Sequence, residues 1–177
     1  MTSQTDNAAS PSEKAAETAP RPERAQAIVR RNVYWALELG LLPFPLVDIA
    51  AMTGVQVKMI AELSALYEVK FAEERARTAV VALTTGLGSV ALAGAIAGSL
   101  FKLVPVVGVL AGAVGVPLFG GALTHALGNL FVMHYESGGT LLTFDADRMR
   151  EHFRKEFEQS KIIVTKIKAE ARDTAAA

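Results

Sequence analysis

Cysteine is absent from the sequence. Its absence excludes a disulfide scaffold, a thiolate zinc site, an iron–sulfur cluster and a cysteine nucleophile. Histidine is scarce, with three residues in 177. His125 and His134 stand nine positions apart, about 900° around a helix, so one straight helix puts them on opposite sides. No metal site is expected from them. Charge of one sign is missing too: 18 Lys and Arg balance 18 Asp and Glu. That balance removes the basic excess of a nucleic-acid binder, and no nucleic-acid partner is expected. None of the 14 glycines is followed by lysine, so the phosphate-cradling loop G-x-x-x-x-G-K-[ST] is missing. Gly86-Leu87-Gly88 opens a dinucleotide-like pattern, but Ala91 stands where its third glycine belongs and no strand pattern precedes it. Alternating strand patterns and Asn-Gly hairpin signals are lacking as well. The chain reads as all-α, non-enzymatic, and without catalytic residues or cofactors.

What is present is apolarity, unevenly spread. Residues 78–101 give 24 consecutive positions without Asp, Glu, Lys or Arg, and residues 103–135 give 33 more after Lys102. About 20 apolar helical residues span a bilayer's hydrocarbon core. Ten of the 14 glycines fall between positions 86 and 128. Gly94 with Gly98, Gly108 with Gly112, and Gly120 with Thr124 and Gly128 form small-xxx-small steps, which let two helix backbones approach closely. The pattern predicts a central glycine-rich hydrophobic helical hairpin over about 78–135. Its bend falls at Lys102-Leu103-Val104-Pro105, and Pro117 is expected to kink or divide its second arm.

The flanks differ. Residues 1–22 are rich in Ala, Ser, Thr, Glu and Pro and are expected to form a disordered tail; they lack the pattern of a signal peptide. A helix is predicted from Glu23, with Ile28, Tyr34, Trp35 and Leu39 on its apolar face, ending at Gly40 and the Pro43-Phe44-Pro45 segment. A second runs from about Leu46 to Tyr67 on a stripe of Ile49, Met52, Met59, Leu63 and Leu66, with Lys58 and Glu62 paired on the other side. Gln56 interrupts the stripe and suits a hydrogen bond to a neighbouring helix. Asp48 sits in the first turn, where exposed amides and the helix dipole favour a carboxylate, or a partner contacts it. Asp145 is a plausible N-cap for an amphipathic helix over about 141–177 with its short tail. There Met149, Phe153 and Phe157 step by four, as do Ile163 and Ile167. His125, a titratable group in an apolar span, is either a hydrogen-bonded packing residue or a proton or ligand site.

Leu42-Pro43-Phe44-Pro45-Leu46-Val47-Asp48, continuing through Gln56, Lys58-Met59-Ile60, Leu63 and Tyr67, resembles the signature of the bacterial domain of unknown function 697, the YcjF-type family. Val104-Pro105-Val106-Val107-Gly108 and the run from Gly121 through His125 to Gly128 are similar to its second half. The resemblance spans roughly residues 25–140, within a helical domain taken as 23–140. It implies an all-helical, membrane-associated domain with no established catalytic residues, often fused to or encoded beside a dynamin-like or Era-like GTPase. A departure from the fused pattern, with no GTPase half, is expected here. The resulting expectation is a bundle whose hairpin inserts into the cytoplasmic membrane, with both termini in the cytosol. It would serve as scaffold or effector module for a separate GTPase or a membrane-stress system, with the lipid bilayer and a second copy of the chain as further partners. The alternative is a soluble helical scaffold that buries the same hairpin, as a monomer or a homo-oligomer. The residues expected to matter structurally or to a partner are Pro43, Pro45, Asp48, Gln56, Gly94, Gly98, Gly108, Gly112, Gly120, Thr124, His125 and Gly128.

Overall fold

The computed structural model describes residues 19–39, 45–87 and 105–176. These form five helices and no strand: α1 Arg21–Leu39, α2 Pro45–Leu66, α3 Glu73–Gly86, α4 Pro105–Glu136 and α5 Ala146–Ala176. Local chemistry sets the ends. Pro45 and Pro105 open their helices, where a missing amide hydrogen costs nothing. Glu73 and Glu74 face the positive end of α3. The Asp145 carboxylate accepts the amides of Asp147 and Arg148 at 3.0 and 3.2 Å and caps α5. Two helices close on the same paired backbone bonds, Gly138 to Tyr135 with Gly139 to His134 after α4, and Glu68 to Ala65 with Val69 to Ser64 after α2. The left-handed residue is Gly138 at φ 80° in the first and Glu68 at φ 58° in the second.

Helix α4 is the axis of the packing. It lies most extensively against α5 and α1, with α2 on a third side, while α3 packs on α2 and α5. Every residue over 120–128 is buried, more than two full turns, so no face of that stretch meets solvent. Its small residues make the approach feasible. A Cβ on Gly128 would sit 2.6 Å from Val29 of α1, with Met59 of α2 close behind, and one on Gly121 would sit 2.8 Å from Val164 of α5. Gly120 lies against Met52 and the Ala36 carbonyl. The partners answer with small or slender side chains: Ala25, Val29, Val33 and Ala36 form the core stripe of α1. Phe131, Leu127 and Leu130 fill the wider part of the core with Phe153 of α5.

Several expectations are corrected by this arrangement. Among the described residues no helix is long and apolar enough to cross a membrane. Insertion of the 78–135 hairpin into the cytoplasmic membrane is therefore overturned. With it fall the lipid bilayer as partner, the inner-membrane location with both termini in the cytosol, and the reading as a membrane module for a separate GTPase. The physical reason lies in the second arm: its apolar side chains over residues 120–128 are enclosed by α1, α2 and α5. An all-round apolar helix needs enclosure, which protein supplies as well as lipid does. The start of the first arm is different again. It belongs to α3, which begins at Glu73 and buries Ala76, Ala79, Val80 and Leu83 while leaving Val81 exposed. Helix α4 continues through Pro117 without division. Trp35, expected on the inner face of α1, is 52% exposed.

Candidate functional site

Among the described residues, polar side chains gather where α1, α4 and α5 meet, with His125 and Ser160 buried and Asn129 and Glu156 half-buried. His125 and Asn129 stand one turn apart on α4. Nδ1 of His125 lies 2.8 Å from the Ser160 hydroxyl of α5 and 3.4 Å from the Asn129 amide nitrogen. Asn129 also donates to the Glu156 carboxylate at 2.7 Å, and its carbonyl oxygen accepts from Gln26 of α1 at 3.2 Å. The four residues around His125 thus tie three helices together. Because a carboxylate only accepts, the Asn129 nitrogen must face Glu156. That orientation leaves the Asn129 nitrogen beside Nδ1, while the closer Ser160 hydroxyl can donate to Nδ1 or accept from it. Burial pushes the His125 pKa down, and the Glu156 carboxylate opposes that shift without overcoming it.

Three further clusters join α2 and the turn after it to their neighbours. Gln56, 1% exposed, donates to Thr124 of α4 at 3.5 Å, and Thr124 points its hydroxyl at the Met52 sulfur. Ser64 bonds the Tyr135 hydroxyl at 2.9 Å, and nearby Tyr67 donates to Glu136 at 2.9 Å. Burial and then the Glu136 carboxylate push the Tyr67 phenol up to about 12. Near the α1–α2 contact, Glu62 accepts from Asn32, Lys58 and Arg31 at 2.8, 2.8 and 2.9 Å. Burial alone would raise its carboxyl, but these donors outweigh it and hold the pKa below the ordinary value.

The His125–Ser160 pair has the separation of a base and a hydroxyl nucleophile. Its surroundings support packing instead: Ser160 is fully buried, out of reach of a substrate. Asn129, His125 and Ser160 satisfy one another, as buried polar groups must. Among the described residues no three of His, Asp and Glu converge to hold a metal ion. A groove of about 720 Å³ lies between α3 and residues 141–146. Of its charged residues, Asp145 is committed to capping α5 and pairing with Arg148.

The residues singled out from sequence separate into groups. Gly120, Thr124, His125 and Gly128 all lie on the buried stretch of α4, and Gln56 meets Thr124 from α2. Gly108 and Gly112 lie in the first half of α4, apart from that centre. Pro45 starts α2 and Asp48 lies in its first turn; the Asp48 side chain is outside the described residues. Pro43, Gly94 and Gly98 are outside them too. Sequence reasoning missed Gln26, Asn129, Glu156 and Ser160. One signal was available: Ser160 falls three residues after Phe157, at an inward position of an amphipathic helix.

The model of the family described as domain of unknown function (DUF697) matches residues 6–161. The chain belongs to that family. It is 38% identical over 145 residues to Magnetosome membrane protein 22 of Magnetospirillum gryphiswaldense, an alignment covering 82% of this chain and 74% of the relative. No solved structure matches the chain.

Proposed function

We propose that this member of the DUF697 family is a non-catalytic helical scaffold that keeps the second arm of its apolar hairpin inside its own bundle. The observation that carries this reading is the enclosure of residues 120–128 by helices on three sides. The buried polar ties add to it. A helix facing hydrocarbon would leave His125, Asn129 and Thr124 without partners at several kcal/mol each; here each bonds a neighbouring helix. The outward faces supply the docking surface. On α5 the solvent side carries Glu151, Arg154, Lys155, Glu158 and Lys161, paired among themselves. The name of the magnetosome relative gives that protein's location and specifies no reaction, so the reading rests on the bundle.

Size-exclusion chromatography with light scattering on the full chain, purified without detergent, tests it. The expected result is a monodisperse particle with the mass of one copy or a small whole number of copies. Polydisperse aggregate that resolves only when detergent is added would overturn the proposal.

A further inference from the structure

Beside the His125 cluster a cleft of about 310 Å³ opens between α1, α4 and α5, at the small end of the range for organic ligands, roughly 300–1,000 Å³. Val29 of α1 and Ile163 and Ile167 of α5 give it apolar walls. Arg30, Lys166 and Glu170 supply its charge, so two cations stand against one carboxylate.

The arrangement of these groups is selective. Tyr34 braces Arg30, its hydroxyl 3.4 Å from Nε and its ring 5.9 Å from the guanidinium carbon. The guanidinium already holds a carboxylate, that of Glu170 at 2.6 Å, so the geometry for carboxylate recognition is in place. Lys166 forms no ion pair among the described residues. His125 lines the same cleft, its Nδ1 engaged by Ser160. Cations of this kind, beside aliphatic walls, match an anion with a hydrocarbon body.

We propose that this cleft is a binding site for a small organic monocarboxylate. Its carboxylate sits on Lys166 and Arg30 in competition with Glu170, and its apolar body lies on Val29, Ile163 and Ile167. The inference goes beyond the scaffold reading and is independent of it, because ligand binding and monodispersity are separate measurements.

Hexanoate is a suitable probe, titrated calorimetrically into the full chain and compared with hexanol, which has the same length and no charge. Saturable one-site binding of hexanoate is expected, with hexanol at least about tenfold weaker. Lys166→Gln should weaken hexanoate about tenfold, and Glu170→Gln should tighten it by a similar factor by removing the internal competitor. Both positions are exposed on α5, so the variants should keep the wild-type helical circular dichroism. Absence of saturable binding to both the wild type and Glu170→Gln would overturn the proposal. So would equal affinity for hexanol, or an affinity unmoved by Lys166→Gln.

Discussion

Helices α4 and α5 run side by side, yet they solve burial in opposite ways. Over residues 120–128, α4 is buried on every side and is built from Gly, Ala, Leu, Thr and His. Helix α5 buries a single stripe of Phe153, Phe157, Ser160, Val164 and Ile167, stepping by three and four, and exposes charge elsewhere. In α5 the pattern of large apolar residues reports the inner face directly. Over 120–128 of α4 there is no outer face to report, so hydrophobicity carries no direction there and residue size takes over. Glycine marks where a neighbour comes closest, as at Gly121 beneath Val164 and Gly128 beneath Val29. An apolar run this complete records enclosure without saying what encloses it.

Substitutions sharpen the contrast. The largest effect belongs to Leu127→Ala, which removes a fully buried side chain from α4; a loss of about 2–5 kcal/mol is expected from urea denaturation. Ile162→Ala on α5, where the side chain is 65% exposed, should cost under about 0.5 kcal/mol. Similar losses at the two positions would break the comparison. Next in size is a pH effect centred on His125. Its folded pKa is depressed below the ordinary 6.5, so the unfolded chain takes up a proton before the folded one does. The stabilisation is therefore complete above the ordinary value and is lost as pH falls toward the folded one. Denaturation midpoints should drop between about pH 7.5 and about pH 5, and His125→Asn should flatten that dependence. A dependence unchanged in the variant would assign it to other groups. The smallest effect is on the outer face of α5. Arg154→Ala removes an exposed pair with Glu151 and should shift stability by under about 0.5 kcal/mol, less at high salt.

Much of the architecture was legible in the sequence because proline, glycine and aspartate punctuate it. Pro45, Asp145 and Gly138-Gly139 mark real helix ends. Met149, Phe153 and Phe157 gave the inner face of α5 through their spacing. The stripe was then misread at Ile163, which is 39% exposed while Ser160 and Val164 are buried. A ranking by hydrophobicity prefers an isoleucine to a serine, whereas the core needs a hydroxyl beside His125. The same bias placed Trp35 inside α1. That helix approaches the glycines of α4, and Val29 and Leu37 take the places against them. The candidate site was half visible. His125 stood out as a titratable group in an apolar run, but Ser160, 35 positions away, becomes its partner only through the packing of α5. The bilayer expectation failed for a related reason: periodicity within one helix is silent about its neighbours.

The absence of cysteine makes the central claim open to a clean test, since any introduced thiol is the only one in the chain. Ala126→Cys and Ile162→Cys, each in the full chain without detergent, can be timed against a water-soluble maleimide. Enclosure of α4 predicts that the thiol at position 126 stays unreactive until denaturant unfolds the bundle, while the thiol at 162 reacts at once. Equal labelling of the two folded variants would contradict it.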